Sequence, residues 1–90
     1  MSIDAARHWQ ALFTGWPETL PREGLITTDF QETIAFTGFM LSEGLLIVER
    51  DRPDSHGSRK VILSYDVISA VKLTSTMELE GFGAMGFRNR

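Results

Sequence analysis

Residues 32–50, ETIAFTGFMLSEGLLIVER, constrain this chain more than any other stretch. They read as two apolar strands joined by a tight turn at Ser42-Glu43-Gly44. Strict alternation puts Ile34, Phe36 and Met40 on one face of the first strand, and Ala35, Thr37, Phe39 and Leu41 on the other. Leu45 to Val48 then run apolar without a break. A strand that is apolar at both parities needs cover on both faces. A lone hairpin is marginal in water, so further strands must join this one.

The rest of the chain supplies them. Ala5, Trp9, Leu12, Phe13 and Trp16 recur at spacings of three and four and predict an amphipathic helix over residues 2–14. Ser2 would cap it and Asp4 would sit in its first turn. Gly15 and Pro17 stop it. The aromatic stripe reads first as packing against a sheet, with Trp9 as its core residue. Residues 17–24 form a connector. A strand follows over residues 25–30, linked at Gln31-Glu32 to the central hairpin. Gly38 inside a strand marks a bend or bulge. The polar run ERDRPDSHGSRK at 49–60 is a hairpin loop. Val61 to Leu63 form a fourth strand, Tyr65 to Val67 a turn, and Ile68 to Leu73 a fifth strand. After Thr74 the pattern fades, and Gly81, Gly83 and Gly86 weaken any regular element. Residues 1–76 are thus read as the folded unit. Residues 77–90 are read as a tail, a short helix or a flexible segment, dispensable for folding.

Composition narrows the function classes. Ninety residues make one domain, and a net charge of -3 gives no general attraction to nucleic acid or an anionic membrane. With no cysteine, disulfides and thiolate metal sites are excluded. No apolar run approaches the ~20 residues of a membrane span. Charged residues interrupt the first helix, so it does not read as a signal peptide. The expectation is a cytoplasmic protein without a membrane role.

A helix followed by five short, strongly bent strands is the element order of the Sm-like family. TGFMLSEGLLIVE (residues 37–49) resembles that fold's second and third strands, where a glycine-bent strand pairs with an apolar one. YDVISAVKL (residues 65–73) resembles its closing turn and last strand. The resemblance spans residues 2–73. It implies a mainly β fold, an N-terminal α-helix followed by a five-stranded, strongly bent Sm-like barrel. It also implies rings built by pairing the fourth strand of one subunit with the fifth of the next. The implied homo-oligomer contacts are Val61, Ile62, Leu63, Ile68, Val71 and Leu73. The family's RNA rim is altered here. Its Asp-x-x-x-Asn loop shrinks to Ser42-Glu43-Gly44. In the second loop, Ser64-Tyr65-Asp66-Val67, Asp66 stands where a cation is expected and would repel phosphate.

Candidate chemistry is sparse. His8 and His56 are the only histidines, and neither belongs to a metal-ligand or triad pattern. Asp29 and Glu32 flank a strand bend and could pair as acid and base, but carboxylates at such turns are usually solvated. GFGAMG near the end does not follow a strand, so it is no phosphate loop. Arg50, Arg52, Arg59 and Lys60 are the one basic concentration, set against Glu49, Asp51 and Asp54. They read first as a solvated hairpin with cross-strand ion pairs. With Tyr65 as a stacking surface they would form an RNA-binding site. The expected function is therefore a non-enzymatic, oligomeric Sm-like module for assembly or protein interaction. The rival is an Sm-like RNA binder with a non-standard site. No cofactor or metal is expected; an unidentified protein partner belongs to the leading reading, and an enzyme ranks third because no catalytic constellation converges.

Overall fold

A computed structural model describes residues 3–89, and the cap expected at Ser2 lies outside them. Helix α1 spans Ile3–Thr14. It is followed by strands β1 (Gly24–Thr28), β2 (Thr33–Leu41), β3 (Leu45–Arg50), β4 (Lys60–Ser64) and β5 (Ile68–Lys72). A 3-10 turn at Tyr65–Val67 joins β4 to β5, and a second 3-10 segment spans Leu79–Met85. The fold is thus mainly β, an N-terminal helix on a five-stranded sheet whose ladders are all antiparallel.

The local signals act as physics demands. The helix ends where Gly15 N–H still donates to Ala11 O at 3.0 Å and Pro17 prevents a further turn. Ser42 closes the β2–β3 hairpin: its Oγ accepts from Leu45 N–H at 3.2 Å and its N–H donates to Leu45 O at 2.9 Å. β1 ends two residues earlier than its apolar pattern suggests. Gln31 adopts φ 62°, and Thr28 Oγ1 accepts from Glu32 N–H at 3.1 Å. This tight turn puts Phe30 in solvent.

The central hairpin departs from strict alternation. Phe36 pairs with Arg50 and Gly38 with Glu49, so the register shifts between Phe36 and Gly38. One extra residue reverses the parity of everything beyond it. Phe39, rather than Met40, therefore joins Ile34 and Phe36 in the core, and Met40 is 72% exposed.

Phe13 and Trp16 are the helix-side core residues, and Trp9 is only half-buried. Phe13 stacks on Trp16 at 5.5 Å between ring centroids. Both meet Phe39 edge-on, at 5.0 and 5.1 Å. Trp16 Nε1–H donates to Leu20 O at 3.0 Å, so the indole is buried without leaving its donor unpaired. Ile26, Ile34, Phe36, Leu46 and Val48 complete the centre from the sheet.

The sheet runs β4-β3-β2-β1-β5. The expected closed barrel is not formed, because no ladder joins β4 to β5. The sheet is nevertheless strongly curled. Four interstrand spacings would hold β4 and β5 about 19 Å apart in a flat sheet. The link from Ser64 to Ile68 spans at most about 14 Å extended, and less as a 3-10 turn. Curling brings the two edge strands toward each other, and α1 packs over the turn that joins them. At Gly24 the backbone of β5 comes so close that a Cβ would lie 2.6 Å from Lys72 O. Glycine is what allows β1 to sit there.

The segment after β5 is packed as well. Met77, Phe82 and Met85 are half-buried against the core. Met77 lies over Gly81, where a Cβ would meet its sulfur at 2.7 Å. Gly86, at φ 97°, ends the 3-10 segment.

Candidate functional site

The two sheet edges and the turn between them are the most distinctive surface of the molecule. β4 lies at one edge and β5 at the other, each paired on one side only. An unpaired edge presents free N–H and C=O groups and templates further pairing. Of the residues expected at subunit contacts, Ile62 is 63% exposed. Val61, Val71 and Leu73 are half-buried, and Leu63 and Ile68 belong to the protomer's own core. Alternation along β4 turns Ile62 away from Val61 and Leu63, and a register shift between Thr27 and Thr28 puts Ile68 and Val71 on the same face of β5 despite their opposite parity.

The bulge adds a surface that alternation alone hides. Met40 pairs with Ile47, and Ile47 with Ile62, across β2, β3 and β4. These three make an apolar row on the sheet face away from the core, with Leu45 exposed beside it. The signal was the glycine at 38, whose effect on parity depends on where the partner strand absorbs the extra residue.

Tyr65 is not a stacking surface. It is 2% exposed, and its hydroxyl lies 3.2 Å from Leu45 O and 3.4 Å from Ser42 O. It ties the β4–β5 turn to the β2–β3 hairpin. Gln10 Nε2 of α1 donates to Glu43 O at 2.6 Å on the same hairpin. Asp66 accepts from Ser64 Oγ at 2.6 Å. Burial pushes the Tyr65 phenol above its ordinary 10.0. The unfolded chain ionises first, so the stability associated with Tyr65 is intact below pH 10.0 and is lost as pH rises toward the folded value. Tyr65 is the only tyrosine. Tyrosinate absorbance should therefore give one native transition above that of the denatured chain, and Tyr65→Phe should remove it. A native transition at the denatured position would contradict the burial.

Strand pairing brings the basic residues side by side, Arg50 N–H donating to Arg59 O at 2.7 Å, while three of their side chains have acidic neighbours. Arg50 is 13% exposed at the side chain, with Nη1 3.9 Å from Glu32 Oε2. That separation makes an ion pair but no hydrogen bond, and Nη1 is buried without a hydrogen-bond partner. Its Nε donates to Arg52 O at 3.3 Å. Arg52 lies 3.5 Å from Asp51, and Lys60 lies 2.9 Å from Glu49. Arg59 is exposed in the loop, immediately before β4. The cross-strand Lys60–Glu49 pair is exposed at both side chains and individually weak.

The remaining candidates are held by local structure. Asp54 Oδ1 accepts from His56 and Ser58 N–H, both at 2.8 Å. Those bonds, the Ser58 one foremost, hold its carboxyl below 3.8. His56 and His8 are exposed, and Asp29 and Glu32 lie on the exposed β1–β2 turn, Glu32 beside Arg50. Among the described residues, no three His, Asp or Glu side chains converge to hold a metal ion. No helix among them is long and apolar enough to cross a membrane.

A groove of about 780 Å³ opens beyond the end of β5. Leu73, Leu79, Phe82 and Phe87 form its walls, with Glu80 and Arg88 among its polar lining. The fading pattern after Thr74 gave no sign of it, because its walls come from side chains brought together by a 3-10 turn.

Comparisons of the chain with protein-family models, with curated proteins and with solved structures return no significant match.

Proposed function

We propose that this chain is a non-enzymatic assembly module of Sm-like type, which associates with copies of itself through β4 of one protomer and β5 of the next. The observation that carries this reading is the sheet order. The two strands left with open edges lie at opposite ends of one curled sheet, joined by a short turn. Ile62 adds apolar surface at one of those edges. Pairing them satisfies both rows of backbone groups at once. The contact is heterologous, so it yields a ring where the rotation closes and a filament where it does not. RNA binding, the other use the resemblance implies, loses Tyr65 as a stacking surface and keeps Arg52, Arg59 and Lys60 as exposed cations.

The test is mass in solution across a dilution series, by light scattering or sedimentation. The wild-type chain should exceed its protomer mass of 10.1 kDa at tens of micromolar. Ile62→Lys places a charge at the β4 edge without touching the core, and should weaken association by about tenfold or more. A wild-type mass of one protomer throughout would sink the reading. Saturable, salt-sensitive binding of a uridine-rich oligonucleotide would replace it with the RNA alternative.

A further inference from the structure

We infer that the groove beyond β5 is a socket for Arg59 of the neighbouring copy, and that this contact orients the edge-to-edge assembly. The inference rests on the assembly reading above and names a side-chain contact within it.

Three observations lead to it. First, the groove continues the β5 edge: Leu73, the residue after β5, lines it. Every ladder in the sheet is antiparallel. Antiparallel addition of a second copy's β4 brings the start of that strand to the end of β5, where the groove opens. Second, Arg59 precedes β4, and Arg50 N–H donates to its carbonyl at 2.7 Å, which continues the β3–β4 pairing to it; alternation then puts Arg59 on the same face as Val61 and Leu63. Leu63 is a core residue, so this is the core face. Leu73 lies on that face too, since its Cδ2 would meet a Cβ built at Gly24 beside Phe36. Third, the lining matches arginine chemically. An arginine has an apolar stem and a flat cationic head. Leu79, Phe82 and Phe87 would cover the stem, and Glu80 would receive the guanidinium. Leu79 and Phe87 are exposed in the protomer, and so is Arg59. Arg88 also lines the groove and opposes a second cation, so its removal should favour the contact.

The experiment uses the full chain and reads its self-association constant by sedimentation or light scattering. Glu80→Arg and Arg59→Glu should each weaken association by about tenfold. The double reversal should recover most of that loss, because it re-forms the pair with opposite sense. Arg88→Ala should strengthen association. Both reversed side chains are exposed, and thermal unfolding of each variant checks that the protomer stays folded. If the single reversals leave the constant unchanged, or if the double reversal is no better than the worse single one, the socket is overturned while the assembly reading stands. A wild-type chain that never associates overturns both.

Discussion

Phe13→Ala is expected to destabilise the fold by about 3–5 kcal/mol, the usual cost of removing a buried aromatic ring and leaving its cavity. Phe13 is fully buried and touches both Trp16 and Phe39. Domains are stable by only about 5–15 kcal/mol. In a domain of this size the midpoint of thermal unfolding should fall by at least about 12 °C. Trp9→Ala removes a larger side chain, yet Trp9 is half-buried at the margin of the core. Its cost should be no more than about half that of Phe13→Ala. Circular dichroism melts of the two variants settle the order. If Trp9→Ala proves the more damaging, the aromatic cluster is centred on the wrong helix face.

Truncation after Ser75 is expected to cost about 1–3 kcal/mol, against the reading of residues 77–90 as dispensable. Three half-buried side chains, Met77, Phe82 and Met85, would leave the core. Each contributes about half of the 1.5–3 kcal/mol of a fully buried apolar side chain, and the ordering entropy of a glycine-rich segment offsets part of that. Denaturant unfolding should show a lower midpoint and a smaller m-value, because less surface is exposed on unfolding. Phe82→Ala alone should reproduce a large part of the loss. An unchanged midpoint in the truncated chain would mean that these contacts contribute nothing net.

Both results turn on what can be read locally. The helix stop at Gly15 and Pro17, the hairpin turn at Ser42 to Gly44, and the strand signals of 45–48, 61–63 and 68–73 depend on neighbouring residues alone. Backbone conformation and capping act over a few residues, so each of these elements was visible without any fold. The bend at Gly38 was visible too, as a glycine inside an apolar strand. Its consequence was not. Whether Phe39 or Met40 turns inward depends on a bulge whose register is set by pairing with Glu49 and Arg50, about a dozen residues away in the chain.

The site was less legible than the fold, for the same reason. Tyr65 looked like a surface residue of a turn, and became buried because that turn folds back under α1 and reaches Ser42 and Leu45 with its hydroxyl. The basic cluster looked free in sequence, and the fold set Arg50 beside Glu32 and Lys60 opposite Glu49, partners distant in the chain. The groove walls came together only through a 3-10 turn that no periodicity announced. The chain alone therefore determined which segments are helix, strand and turn, since those depend on short-range sterics and hydrogen bonding. Tertiary structure decided which faces are buried, which strands keep open edges and which side chains meet, because those depend on register and on contacts between residues distant in sequence.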